Sequence, residues 1–428
     1  MLNRVEGIAD ERVQLDATEI ADRVAALQRS IARDFGDRAV ELYHRETLTL
    51  RVAFERDDRS PTVARGHDRG LAVRVATPTG REVGFASASG AGGSSLRWAL
   101  ARCREQPPGV GPQAIWARGA EATRLDLDGP AELPPLRDVV AWLERARDGS
   151  TSGGRPASPA PVHMSVEVAA SVENWFADGG LRGTRTRIRG WALIRTREPW
   201  AHDPPSRPAI IARRRWQDLP EDGWSGVLED RRLPAGDRAR PPGKKLPVIF
   251  SPECSGQLVV ALFRALHLAG HNGETEVGPA WRVTDDPGHP RALSGGSFDD
   301  AGFATRSILL ADGRRTLATL EGAGHFRRPS FRDRPTPMHS HLVVAPSGGE
   351  IPDQALLCTA LDVHAVQPDR WILRLEGALC DHGRPGALLQ PSYLSVSPED
   401  LVRRCVATLG PARLSHHGVE TPALLFVF

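Results

Sequence analysis

Residues 247–270 read PVIFSPECSGQLVVALFRALHLAG. The apolar run Leu246–Phe250 has the length of a short buried strand, Pro252 turns the chain, and from Ser255 to about Ala269 the pattern is helical. Downstream, a Gly/Pro-rich loop reaches Ser297, and strand patterns then dominate. Ala304–Leu310 and Thr316–Leu320 flank Ala311–Gly313, whose Asp-Gly pair supplies the positive φ angles of a tight hairpin. Trp371–Leu379, Ala387–Leu394 and Pro422–Phe428 read as further strands, with one short helix over Glu399–Ala407. Residues 246–428 therefore read as a β-rich C-terminal domain.

Working back toward the N-terminus, the Pro/Arg/Lys segment Arg238–Lys245 marks the main boundary. Before it, residues 16–36 carry the clearest helix: Asp16 and Glu19 have capping-box spacing, Ile20, Val24, Leu27 and Ile31 recur at helical period, and Gly36 stops it. Its apolar stripe needs a sheet, and Ala39–His44, Thr47–Glu55, Leu71–Ala76 and Glu82–Ser87 supply strand patterns, the last two joined by Thr-Pro-Thr-Gly. Helix Ser95–Arg104 closes an α+β unit over residues 1–105. Residues 106–160 read as a Pro/Gly-rich linker with a short helix at Leu136–Arg147 and the low-complexity GSTSGGRPASPAP at 149–161. Residues 161–245 continue the N-terminal sheet through Met164–Ser171 and Thr184–Arg195, on either side of a turn at Ala177–Gly180. The fold class expected is α+β, an N-terminal α/β sheet domain followed by the β-rich C-terminal one.

With 428 residues, 40% of them hydrophobic, the chain has material for more than one core. Its 55 basic and 53 acidic residues leave a net charge of +2, so no global field draws in nucleic acid or an anionic membrane. Only Lys244 and Lys245 are lysines, and this arginine excess is read as nucleotide composition of the genome rather than as chemistry. Cys103, Cys254, Cys358, Cys380 and Cys405 are odd in number and widely spaced without CxxC, which favours a reducing cytoplasm. Neither a signal-peptide core nor an apolar run of about 20 residues is present, so a soluble cytoplasmic protein without a membrane segment is expected.

Several segments in order resemble the TldD/PmbA family. They are Val248–Pro252 leading into the helix, Asp299, Asp300 and Gly302 before the hairpin, Gly324–Arg328, and the Pro-Met-His-Ser element Pro337–Ser340. Gly70–Val75, Gly84–Ser87 and Thr421–Leu425 are similar to the family's first domain and closing strand. In the TldD branch the helix carries His-Glu-x-x-x-His, two imidazoles on zinc with a glutamate as general base. Here Val260, Ala261 and Ala265 fall at those positions. The PmbA branch, also called TldE, lacks the motif too, and its Phe-x-Pro-Glu lead is similar to Phe250, Pro252 and Glu253.

What the resemblance implies is a TldE-like subunit that needs no cofactor of its own, with zinc in a TldD-like partner. Together the two would enclose a peptide or small aminoacyl substrate, in a groove for which Ser297, His325, Met338 and His339 are candidates. Two alternatives stay open. One is a stand-alone amide hydrolase whose metal has moved to His267 and His271, or to His325, His339 and His341. The other is a homodimeric binding protein.

Each candidate also has a plainer structural explanation. His267 and His271 have helical spacing, but Gly270 between them favours a helix end, where the dipole attracts histidine. His339 and His341 would share one face of a strand, with His325 as a conceivable third ligand, although no acidic partner is evident from sequence. His416 and His417, being adjacent, are expected to diverge on a surface loop. Ser255 is read as a helix cap, Asp299 and Asp300 as turn and backbone anchors, and Cys405 as a core residue.

Overall fold

A computed structural model of the chain describes residues 14–35, 39–55, 60–77, 82–90, 92–105, 123–127, 129–152, 161–177, 182–196, 209–220, 238–240, 246–268, 275–317, 325–367 and 369–428. The N-terminal half runs β1 (Gln14–Leu15), α1 (Ala17–Phe35), β2 (Ala39–Glu55), β3 (Thr62–Ala76), β4 (Glu82–Ser89), α2 (Gly93–Glu105), β5 (Thr123–Leu127) and β6 (Ala131–Glu132). It continues with α3 (Leu136–Ser152), β7 (Pro161–Ala177), β8 (Arg182–Thr196) and β9 (Ala209–Arg213). Strands pair in the order β4-β3-β2-β7-β8-β5, with β9 also on β8, and every pairing but β5 with β8 is antiparallel.

Strand alternation gives this sheet two chemically distinct faces. Val40, Leu42, Leu48, Leu50, Val52 and Phe54 of β2 point to one face, where α1, α2 and α3 cover them with Val24, Leu100 and Leu143 among others. α1 starts where expected: the Asp16 carboxylate accepts the N–H groups of Thr18 (2.9 Å) and Glu19 (3.0 Å), satisfying donors the first turn leaves open. The opposite face carries Glu41, Tyr43, Arg74, Glu173, Trp175, Arg185 and Arg187, all buried.

Three strands outrun their sequence patterns. Ala39–His44 and Thr47–Glu55 are one continuous strand, because Arg45 and Glu46 pair through with Gly70 and Arg69 of β3 and with Glu173 and Val172 of β7. β3 begins nine residues before the expected Leu71, at exposed residues whose pairing with β2 holds them extended without an apolar pattern. β7 extends beyond Ser171 through the buried Glu173, Asn174 and Trp175. The expected linker is also shorter than read: α3 runs to Ser152 and β7 begins at Pro161. Residues 78–80 and 178–180 of the expected turns, and most of the 106–134 linker, lie outside the described residues.

The C-terminal half comprises β10 (Val248–Phe250), α4 (Pro252–Leu268), β11 (Arg282–Asp285), β12 (Ile308–Asp312), β13 (Phe326–Arg327), β14 (Thr336–Pro337) and β15 (Leu342–Val344). Then come β16 (Gln354–Gln367), β17 (Arg370–Asp381), β18 (Arg384–Leu388), β19 (Ser392–Val396), α5 (Pro398–Arg403), β20 (Cys405–Leu414) and β21 (Val419–Phe426). The ten-stranded sheet runs β12-β11-β15-β21-β10-β16-β17-β18, with β19 on β17 and β20 on β21. α4 lays Leu258, Val259, Leu262 and Leu266 on one face against Phe250, Trp281, Leu373 and Phe426.

The expected strand Ala304–Leu310 is displaced to Ile308–Asp312, where it pairs with β11. Its turn does close through Gly313 at φ 88°, with Thr316 bridging Ala311, while 318–320 lie outside the described residues. Ala387–Leu394 divides into β18 and β19, and the helix expected to reach Ala407 ends at Arg403 as the chain enters β20.

Candidate functional site

Three of the four groove candidates, His325, Met338 and His339, lie on the segment from 325 to 341, which meets α4 through His339. β13 and β14 form a two-residue ribbon, Phe326 opposite Pro337, and the Met338 N–H donates to the His325 carbonyl (2.9 Å). Asp285, at the end of β11, fixes the segment from below. Its Oδ1 accepts the N–H groups of Ser340 (2.9 Å) and His341 (2.8 Å), and its Oδ2 pairs with His325 Nδ1 (2.9 Å). Burial opposes ionisation of Asp285, but the His325 hydrogen bond, His339 and the His341 N–H outweigh it and hold the carboxyl below its ordinary range. His339 projects toward Phe263 of α4, ring centroids 6.5 Å apart, and is half-buried like Met338. His325 is buried, and the exposed Ser297 donates its N–H to Asp126 (3.2 Å).

Along α4, Glu253, Gln257, Val260, Ala261 and Ala265 form a half-buried stripe, and the last three pack against the C-terminal core. Alkyl side chains offer a metal no lone pair, so Val260, Ala261 and Ala265 cannot ligate zinc. Ser255 is not the cap expected: its hydroxyl donates to the Phe250 carbonyl (3.1 Å) and accepts the Leu424 N–H (3.2 Å), pinning α4 to β21. The capping contact comes from Ser251, whose Oγ accepts the Cys254 N–H at 3.5 Å. Cys405 is fully buried, and burial pushes its thiol far above the ordinary range, so it offers no thiolate.

The histidines group differently from expectation. His339 and His341 do not share a strand face, because the chain at 339–341 bends around Asp285. His341 instead stacks on His289, centroids 4.4 Å apart, beside Glu420. The acidic partners that sequence did not reveal are therefore Asp285 for His325 and Glu420 for His341. His416 and His417 do not diverge: their rings lie 3.8 Å apart and converge with Glu253 at the start of α4. His267 lies in the last turn of α4, but its side chain and all of His271 fall outside the described residues.

Asp299 holds the loop around it, and Asp300 ties the two halves together. Asp299 accepts the N–H groups of Ala301 (2.9 Å), Phe303 (2.9 Å) and Phe326 (3.1 Å). Asp300 accepts the Arg328 N–H (2.7 Å) and reaches across to Arg185 Nη1 (2.8 Å), which also holds Glu173 (3.0 Å). The Arg185 guanidinium lies over the Phe298 ring (4.4 Å) and donates to the Phe298 carbonyl. Arg328 pairs with Glu41 and covers Tyr43 (4.7 Å), Glu41 also accepts Trp175 Nε1 (2.9 Å), and Arg187 donates to the Gly295 carbonyl (2.8 Å). For Glu173, burial works against the charge, but Arg187, Arg185, Arg45 and Arg189 hold its carboxyl well below the ordinary range. Gly302, at φ 84°, lets the loop approach the Trp175 ring, which a β-carbon there would strike. Arginine abundance, discounted in the sequence, thus builds the contact between the two halves.

The class this architecture defines is a two-sheet α+β fold joined through a charged seam. The chain is similar to TldE from Thermococcus kodakarensis, with 13% identity and a TM-score of 0.75 over 95% of this chain and 98% of that one. It is also similar to a candidate modulator of a DNA gyrase from Thermotoga maritima, with 16% identity and a TM-score of 0.71 over 95% and 98% of the two chains. A candidate DNA gyrase modulator from Bacteroides thetaiotaomicron gives 14% identity and 0.71 over 96% and 97%. No family model matches the sequence, and no curated protein does. The α+β fold expected from the sequence is the one these structures share.

Proposed function

We propose that the chain is a TldE-like member of the TldD/PmbA family, acting as the non-catalytic subunit of a zinc metallopeptidase complex in the cytoplasm. The observation that carries this reading is the stripe of Val260, Ala261 and Ala265 along α4, alkyl groups that can neither ligate zinc nor move a proton. In the TldD branch that helix position supplies both zinc ligands and the base. Hydrolysis then falls to a TldD-like partner that carries the catalytic zinc, and this chain contributes enclosure. Ser297, His325, Met338 and His339 line its side of the channel for a peptide or small aminoacyl substrate, with extended peptide held by backbone pairing as an added strand would be. No described helix is long and apolar enough to cross a membrane.

Co-expression with a TldD-like chain that keeps His-Glu-x-x-x-His tests this reading. The expected result is a 1:1 complex on size exclusion that cleaves unstructured peptides, while the isolated chain cleaves none. Cleavage by the isolated chain supports the stand-alone hydrolase instead. A stable homodimer that ignores the TldD-like chain supports the binding protein.

A further inference from the structure

Behind the groove wall, three segments distant in sequence bring His289, His341 and Glu420 together, with ligand atoms all within 4.8 Å of one another. Their backbones are fixed independently of any ligand. The Asp286 N–H donates to the His341 carbonyl (2.8 Å), the His289 N–H to the Asp286 carbonyl (3.2 Å), and β15 pairs with β21 so that Val343 lies opposite Glu420. Glu420 Oε2 stands 3.9 Å from Nε2 of both histidines, while Arg291 takes the other oxygen, Oε1, at 3.2 Å. His341 is fully buried, yet neither of its ring nitrogens, nor Glu420 Oε2, has a hydrogen-bond partner among the described residues. Buried polar atoms are rarely left so, and His341 Nε2 and Glu420 Oε2, facing each other at 3.9 Å, mark a place for a shared partner.

We propose that His289, His341 and Glu420 bind one divalent transition-metal ion, which their two imidazole nitrogens and one carboxylate oxygen identify as zinc or a close analogue. The site is distinct from the α4 stripe and independent of the subunit role proposed above. Burial, reinforced by His289 and then Arg291 against the pull of Asp285, lowers His341 to about 4, so its ring is neutral and has a lone pair at neutral pH. Tetrahedral zinc at ordinary bond lengths separates its ligand atoms by about 3.3 Å, so the 3.9 Å spacings close slightly on binding. The stacked His289 ring must turn to aim its lone pair, and its partly exposed position allows this. Ligation through His289 Nε2 puts the proton on Nδ1, so the 3.3 Å contact from the Arg291 N–H to that nitrogen is given up. Water completes the fourth position from the side where His289 and Glu420 meet solvent. Because His341 adjoins the Asp285 hub, the ion braces the groove wall from behind.

The test titrates cobalt(II) into the full chain after chelator stripping, reading the visible bands of tetrahedral cobalt, with thermal melts in zinc alongside. One equivalent is expected to bind and raise Tm. His289→Ala, a partly exposed position that tolerates truncation, and Glu420→Gln are expected to weaken binding by more than about 100-fold, beyond the loss of an outer-shell partner. His416→Ala should leave binding intact. Absence of stoichiometric cobalt binding overturns the proposal, as does binding that survives His289→Ala or is lost in His416→Ala, which would assign the ion to Glu253, His416 and His417.

Discussion

The two faces of the N-terminal sheet are held by opposite chemistries. On the helix side, Leu50, Val52, Val166 and Val168 meet α1 and α3 through aliphatic contact. On the other side, Glu41, Glu173 and Arg185 meet Arg328 and Asp300 of the C-terminal half through charge. Aliphatic contact tolerates small shifts, because attraction between methyl groups is summed over many atoms and has little direction. A buried guanidinium holds its partners in one geometry, and losing one partner leaves the other charged in a poor solvent. The helix side therefore contributes most to stability, and the charged seam fixes how the halves register.

The largest expected effect follows from breaking that seam. Arg185→Met leaves Glu173 and Asp300 without their shared cation and should cost about 4 kcal/mol, with the single urea transition splitting into two as the halves uncouple. A single cooperative transition of unchanged midpoint would show that the seam does not couple them. On the apolar face, Leu50→Ala should cost about 3 kcal/mol and lower the midpoint without splitting the curve.

Sequence legibility follows the same division. Period-two alternation identified Thr47–Glu55 and Leu71–Ala76 because one face there is aliphatic. It missed the continuity through Arg45 and Glu46, since polar side chains there fall on both faces of the strand and break the alternation. α1 was readable from Asp16 to its apolar stripe, because capping and helical period are local. The helix from Ser255 was legible for the same reason. Asp285, His289 and Glu420 were not, since nothing local in a strand end, a turn and a strand start announces that they meet.

A third test concerns His44, fully buried on the helix side of β2, with no hydrogen bond to either ring nitrogen among the described residues. Burial lowers it from 6.5 to about 4, although Glu46 pulls the other way. Between these values the unfolded chain binds the proton and the folded one does not. Its stabilising contribution is thus complete above about 6.5 and is lost as the pH falls toward about 4. The unfolding free energy from urea titrations should fall by about 3 kcal/mol over that window, and His44→Leu should flatten the slope. An equal slope in the variant would assign the acid sensitivity to other groups. The smallest effect should come from Asp16→Ala, which removes the cap of α1 and should cost about 1 kcal/mol, read as faster amide exchange in its first turn.

Strand β21 has a consequence for how the molecule is made. It pairs with β20 along one edge and with β15 and then β10 along the other, so the last described strand in chain order lies in the interior of its sheet. During synthesis, β2, β3 and β4 can zip as successive hairpins soon after they emerge. The C-terminal sheet must wait, with β10 and α4 exposing their apolar surfaces until residues some 170 positions later arrive. A nonsense mutation or proteolytic nick that removes Val419–Phe426 would open that sheet at its centre rather than fray its edge.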